Sequence, residues 1–382
     1  MNPNNIKIFF MRTFLYLFIG LLISIGIYAV QFKGDTTNSG ESVPSKNAIK
    51  KKFVSEDDET ITLVAVGDIM MGTNYPSESY LPPKELKLMA PMMEYFKMGD
   101  IVFGNLEGTV LNSGGEVKSC NDPSKCYAFR QPEYFLDQLK EAGFNMLSIA
   151  NNHVGDFGTT GRKNTVRALA ERGFCFAGQT TCPTGIMTIK GLKIGFTAFA
   201  PNNGCLSLTD YTLLTNTIKE LDKTCDIVIV SFHGGAEGPS ATHVPKKTEL
   251  FLGENRGNVT EFARKAIDAG ADVILGHGPH VSRAIDQYKG KFITYSMGNF
   301  CTYGRFSLKG NAGIAPLFQL KLKRDGSFVE GKIVSIKQIG EGGPIFDKSL
   351  AALNEIKQLT LTDFPQSNAN FDEEGNFFFK LK

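Results

Sequence analysis

The side chains of this sequence that can do polar chemistry gather at the ends of apolar runs. Four of its five histidines lie in such places. His153 ends SIANNH, His233 follows DIVIVSF, and His277 and His280 follow ADVILG in GHGPH. Two carboxylates share the setting, Asp68 after ITLVAVG and Glu107 after DIVFGN. Imidazole nitrogens, carboxylate oxygens and the carbonyl oxygen of an Asn, Asn151 or Asn152, make a ligand set for divalent metal ions. His153 is placed to hold a proton for a leaving group; it follows Asn151 and Asn152 and precedes a loop with Gly155, Asp156 and Gly158. Glycines behind His233 let backbone and ligand approach closely, and Glu237 in SFHGGAEG is available to orient a histidine or meet substrate. The same residue types have plainer uses. Asp68 can cap a helix, Asn105 and Glu107 can shape a turn, and Asn299 in YSMGNF can cap a turn or bind substrate. His243 in PSATHVPKK reads as surface loop.

For these groups to meet, the apolar runs must be strands sharing one edge. The runs ITLVAVG, DIVFGN, FNMLSIA, KIGFTAFA, DIVIVSF, DVILG and KFITYSMG have that character. Helical patterns lie between them: PPKELKLMAPMMEYFK, PEYFLDQLKEAG, GRKNTVRALAERG, LLTNTIKELDK and NVTEFARKAIDAG. Gly143, Gly173 and Gly270 stand where helix C-caps are expected. Strands alternating with helices predict a largely parallel sheet covered on both faces, with polar groups converging at the C-terminal strand ends. After residue 303 the texture changes. PLFQLKLKRDGSFVEGKIVSIKQIG reads as two strands joined at Asp325 and Gly326, and residues from about 347 read as a helix and tail.

The chain is 382 residues long, 42% hydrophobic and 21% charged, with 41 basic and 39 acidic residues giving a formal charge of +2. That composition is globular, and it offers no polyanion-binding surface, so no nucleic-acid partner is expected. Residues 13–30, TFLYLFIGLLISIGIYAV, carry no charge and are long enough to cross a bilayer as a helix. Lys7 and Arg12 precede them and Lys33 follows, which favours the N-terminus inside. A cleaved signal peptide is the alternative; both export the rest. The expectation is a single-pass protein of the cell membrane, anchored at residues 1–30, with its main domain extracytoplasmic (periplasmic or extracellular). A polar, flexible linker is expected at 31–60, the main domain at 61–346 and the C-terminal helix and tail at 347–382. Seven cysteines allow disulfides, with Cys120 and Cys126, or Cys175 and Cys182, each able to close a small loop; connectivity stays open.

Taken in order, GDIMMG, GNLEG, ANNH, SFHGGAE, DAGADVILGHGPH and YSMGNF resemble the successive motifs of the CapA-type capsule synthesis family, associated with poly-gamma-glutamate and similar in fold to calcineurin-like metallophosphoesterases. The resemblance covers about residues 61–303. It implies a four-layer α/β/β/α metallophosphoesterase-like sandwich with divalent metal ions (Mn, Fe, Zn or Mg), up to two, at the strand ends. Carried over by motif, Asp68 and His280 serve one ion, Asn152, His233 and His277 the other, and Glu107 sits between them. His153 takes the catalytic position, as general acid or electrostatic stabiliser, while Asn105, Asn151, Glu237 and Asn299 are candidates for substrate. Two neighbouring cations can activate water and stabilise an in-line displacement. The sequence departs from the phosphoesterase pattern: Met70 stands where that pattern has histidine, Glu107 where it has Asp, and two residues separate His277 from His280. Gly234 replaces an aromatic residue common in the capsule family.

Three functional readings follow. The first is a membrane-anchored extracytoplasmic protein of capsule polymer biosynthesis or export with a metal site. The second is an exported metal-dependent hydrolase of phosphoesters or an amide-linked polymer. The third is a non-catalytic binding subunit of a membrane polymer-synthesis assembly. The expected partners are the membrane through the N-terminal helix, an anionic polymer or phosphorylated substrate, and other capsule-synthesis membrane proteins.

Overall fold

The run TITLVAVGDIM has apolar side chains on both faces, as a strand buried in the middle of a sheet requires. A computed structural model, which describes residues 60–120 and 126–380, places it there. The first sheet takes β1 (Thr60–Met70), β2 (Ile101–Leu106), β3 (Met146–Ser148) and β4 (Cys175–Ala177) in parallel. The second is built from β5 (Thr184–Ile189), β6 (Leu192–Ala200), β7 (Ile227–His233), β8 (Val273–His277), β9 (Ile285–Tyr288) and β10 (Lys291–Thr294). The chain then returns to the first sheet. There β11 (Asn299–Thr302) runs parallel to β1, β12 (Ile314–Lys323) antiparallel to β1, and β13 (Phe328–Gln338) antiparallel to β12. A last hairpin, β14 (Ala369–Phe371) and β15 (Asn376–Phe379), joins through β13.

Strand alternation sorts the core. From β1, Ile61, Leu63 and Ala65 enter the same apolar cluster as Ile194 and Phe196 of β6 and Ile227 and Ile229 of β7, so the sheets pack face to face. Phe103 and Phe196 meet across that interface with ring centroids 5.7 Å apart. Val64 and Val66 point the other way, toward Phe135, Leu136 and Leu139 of α1 (Tyr134–Ala142) and Ala168 and Leu169 of α2 (Gly158–Glu171). On the far side of the second sheet, Val228, Val230 and Phe232 pack with Leu214 and Ile218 of α3 (Tyr211–Asp222) and Phe262 and Ala266 of α4 (Val259–Asp268). Local signals set these helices: Asp210 and Asn258 accept N-cap hydrogen bonds, and Gly143 closes α1 at φ 100°.

The single largely parallel sheet expected from strand–helix alternation is instead two mixed sheets. The tight connections after β5, β9 and β12 leave no room for a crossover helix, and their strands pair antiparallel. The helix expected in PPKELKLMAPMMEYFK is reduced to one short turn, Met93–Phe96, preceded by a 3-10 segment, Ala90–Met92, because Pro91 interrupts it. Cys120 and Cys126 are disulfide-bonded, whereas Cys175 and Cys182 are free thiols.

The membrane placement is corrected. No helix among the described residues is long and apolar enough to cross a membrane. The apolar stretch at 13–30 on which the anchor and the extracytoplasmic location rested lies outside the described residues, as does the linker apart from Thr60, which opens β1.

Candidate metal centre

Parallel pairing brings the polar strand ends level. In the first sheet Asp68 is in register with Asn105 on β2 and with Asn299 on β11; in the second, His233 is in register with His277. The two sheets deliver these ends to one place. β1 and β11 approach so closely that a Cβ on Gly67 would lie 2.0 Å from the Gly298 carbonyl oxygen, so only glycine fits. At Gly234 a Cβ would meet Leu208 at 2.4 Å and the Arg256 carbonyl at 2.9 Å, and the Gly234 amide donates to the His277 carbonyl at 2.8 Å. A side chain at this position has no room.

Asp68 is fully buried, and both its oxygens face histidines. His277 Nδ1 lies 3.1 Å from Oδ1 and His280 Nδ1 3.0 Å from Oδ2, and Asn105 Nδ2 donates to Oδ1 at 2.8 Å. The Gly278–Pro279 turn lets two imidazoles share one carboxylate. His280 sits at φ 60°, a left-handed conformation that a non-glycine residue adopts at a cost of ~1–3 kcal/mol. Asn299 holds it there: its Nδ2 donates to the His280 carbonyl at 3.2 Å while its Oδ1 lies 3.2 Å from Nδ1. With Nδ1 engaged, the other ring nitrogen of His277 and of His280 is directed elsewhere, the carboxylate–histidine pattern that orients metal-binding imidazoles.

Glu107, His233 and His280 each offer an atom within 4.8 Å of the others. His280 Nε2 is 3.6 Å from Glu107 Oε1 and 3.9 Å from Glu237 Oε2. Both oxygens of Glu107, both ring nitrogens of His233, Nε2 of His277 and Oδ1 of Asn152 are buried without a hydrogen-bond partner. Buried polar groups are almost always partnered, so a cluster of orphans of ligand type calls for a ligand. Carboxylate oxygen and imidazole nitrogen together suit a divalent ion, and the triad is a candidate site for one. Charge agrees. Burial pushes the Glu107 carboxyl well above its ordinary range, and the nearby Asp68 and Glu237 charges add to the rise. His280 is opposed by burial, yet the carboxylates of Glu107, Asp68 and Glu237 push it up to about 10. Burial, reinforced by the Arg256 charge, holds His233 well below its ordinary value, leaving a neutral imidazole free to ligate.

The ANNH loop frames the opposite wall. Asn151 donates from Nδ2 to Asn105 Oδ1 at 3.1 Å and to the Leu106 carbonyl at 3.0 Å, and its Oδ1 accepts from the His153 amide. Asn105 and Asn151 therefore form a buried relay from Asp68 to the loop, and Asn299 is occupied with His280; all three are spent on bracing the site. His153 Nδ1 is 2.7 Å from Asp156 Oδ2, which fixes the ring, and Nε2 lies 4.0 Å from Glu107 Oε1. Burial holds the His153 pKa below its ordinary value, with Asp156 opposing. Phe129 packs on the ring with centroids 4.3 Å apart, and Phe306 stacks on Phe129.

Three residues of the site escaped sequence reasoning. Asp156 orients His153, accepts from the Phe129 amide at 2.7 Å and pairs with Lys118 at 2.6 Å; its spacing of three from His153 was the available signal. Lys118 and Arg256 lie in no strand-end motif, and nothing local marks them. Met70 is wholly buried and His243 is an exposed residue 2.8 Å from Asp363.

The family described as "Bacterial capsule synthesis protein PGA_cap" matches residues 62–303. The chain is 31% identical over 265 residues to the capsule biosynthesis protein CapA of Bacillus anthracis, a match covering 64% of this chain and 60% of that protein. It is 28% identical over 357 residues to the PGA biosynthesis protein CapA of Bacillus subtilis (strain 168), covering 86% of this chain and 85% of that one. Among solved structures, purple acid phosphatase PPD1 from yellow lupin overlaps 80% of this chain and 56% of its own, with TM-score 0.36 and 10% identity.

Proposed function

The chain belongs to the bacterial capsule synthesis protein family PGA_cap, and from that premise we propose that it serves the synthesis of a capsule polymer of poly-gamma-glutamate type through a divalent-metal centre. One observation carries the metal half of the reading: Glu107, His233 and His280 offer ligand atoms within 4.8 Å of one another, and those of Glu107 and His233 are buried without a hydrogen-bond partner. Glu107, His233 and His280 would hold the first ion. Asp68 and His277, joined to His280 through the Asp68 carboxylate, would with Asn152 complete a two-ion centre in a four-layer sandwich of metallophosphoesterase type. A bound ion would supply a Lewis acid for a phosphoryl or acyl oxygen. The chain's own residues do the rest. Asp68 and Asn299 orient the imidazoles, Asn105 and Asn151 tie the two strand ends together, and Phe129 screens one side of His153 from water.

A hydrolytic role within that function is favoured by His153. Its Nδ1 is committed to Asp156, so the neutral ring turns an unprotonated Nε2 toward Glu107, where it can take a proton from a nucleophile and, once protonated, give one to a leaving group beside the centre. Phosphoesters and amide-linked polymers are the two substrate classes this arrangement can serve.

The test joins metal content to phenotype. Plasma mass spectrometry of the purified protein should find divalent metal in the wild type and much less in His233→Ala. A strain lacking the gene should recover surface polymer with the wild type and not with Glu107→Ala. Equal and negligible metal in both proteins would remove the metal centre, and full rescue by Glu107→Ala would detach that centre from polymer synthesis.

A further inference from the structure

Beside the metal centre lies a cavity of about 230 Å³, lined among others by Lys118, Asn152, His153, Glu237, Leu252 and Arg256. Arg256 is its unusual member. The side chain is 2% exposed, yet Nε and Nη2 have no hydrogen-bond partner. Its Nη1 is held from two sides, by Glu237 Oε1 at 2.8 Å and Glu254 Oε2 at 3.0 Å. The backbone is fixed as well: the Arg256 amide donates to the Glu249 carbonyl at 2.9 Å, and its carbonyl accepts from the Gly235 amide at 2.9 Å. Glu249 is itself clamped by the fully buried Arg283, with Nη1 to Oε1 at 2.9 Å and Nη2 to Oε2 at 2.8 Å. The guanidinium is thus immobilised by its far nitrogen and left with one edge free. That edge, Nε with Nη2, carries the two parallel donors that match both oxygens of a carboxylate or phosphoryl group.

We infer that Arg256 is a substrate-binding residue whose free edge takes an oxyanion entering this cavity, with the metal centre alongside. Glu237 sets the distance between them, since it touches Arg256 with one oxygen and reaches His280 Nε2 at 3.9 Å with the other. Lys118 stands on the same cavity wall, held by Asp156, and adds positive charge. The site therefore suits a chain or ester that presents an anionic group next to the bond or oxygen facing the metal. That second part rests on the metal-centre reading; the anion site itself does not.

The experiment titrates full-length protein, in chelator and again with Mn²⁺, with inorganic phosphate and with glutarate by calorimetry, and measures metal content in parallel. Wild type should bind at least one anion in both states, and the preferred anion decides between phosphoryl and carboxylate substrates. Arg256→Gln and Arg256→Lys should each weaken it by about tenfold or more, lysine included because it lacks the fork, with bound metal unchanged. If those variants do not fold, Leu252→Glu, at a position 78% exposed on the cavity wall, should weaken the same anion several-fold at low salt. No anion binding by wild type, or unchanged affinity in the folded variants, overturns the inference. Absent metal with intact, Arg256-dependent anion binding would instead overturn the metal centre alone.

Discussion

Replacing His233 with leucine should make the metal-free protein more stable than wild type and remove most of the stabilisation that metal gives. His233 is wholly buried at the end of β7, and neither ring nitrogen has a partner. A neutral imidazole carries one donor and one acceptor, and each such group buried without a partner costs ~1–3 kcal/mol. Leucine is of similar size and removes both; the imperfect fit in a packed site costs under ~1.5 kcal/mol. Two such groups cost ~2–6 kcal/mol, so the net expectation in chelator is a gain of at least about 0.5 kcal/mol. Adding Mn²⁺ at a hundred times its dissociation constant should stabilise wild type by ~2.7 kcal/mol. The variant, with one ligand of the triad gone, should gain little. Urea unfolding of both proteins in both conditions gives four stabilities, and Mn²⁺ should cut the variant's lead by ~2.7 kcal/mol. A variant less stable than wild type in chelator would refute the claim that these nitrogens are unsatisfied without metal. Equal stabilisation of both by Mn²⁺ would refute the role of His233 in binding it.

Breaking the clamp on the loop that carries Arg256 should be costly: Glu249→Ala leaves the buried Arg283 guanidinium without its carboxylate, and urea unfolding should report a loss of ~3–5 kcal/mol. Phe103→Ala removes a ring that touches both Phe196 and His277 between the sheets, and the same assay should show ~3–5 kcal/mol lost. Far from the site, burial pushes the Asp286 carboxyl from 3.8 up to about 6, against the opposing Arg264 charge. The folded protein then holds a proton there that the unfolded chain releases. Stability from this group is therefore greatest below about pH 4 and declines as pH rises through about 6, by roughly 3 kcal/mol in all. Asp286→Asn should flatten that part of the profile, so the wild-type advantage over the variant should shrink by this amount between pH 4 and pH 7. Parallel profiles would contradict it.

Much of the scaffold is written locally. The runs ITLVAVG, DIVFGN, DIVIVSF and DVILG are strands because alternate residues must enter apolar clusters on both sides, and that requirement is visible in composition. The hairpin turning at Gly326 follows from a residue free to adopt φ 74°. The split into two sheets was less legible, because a short apolar run does not declare which neighbour it pairs with. The prolines that break up the segment before β2 were visible, but the helical periodicity around them was stronger.

What the sequence determined by itself is the chemistry on offer: Asp, Glu, Asn and four histidines at strand ends, in an order that identifies a capsule synthesis family. What only the tertiary structure decided is how those groups divide the work. Asp68 meets His277 and His280 across 209 and 212 positions of chain, and Asn299 holds His280 rather than standing free. Arg256, in no motif, arrives at a cavity it shares with Asn152 and His153, with one edge unspent. Periodicity reports only whether a side chain faces in or out. Which partner it finds there depends on how two sheets from distant parts of the chain are brought edge to edge, and on the few ångströms that separate a hydrogen bond from an orphaned atom.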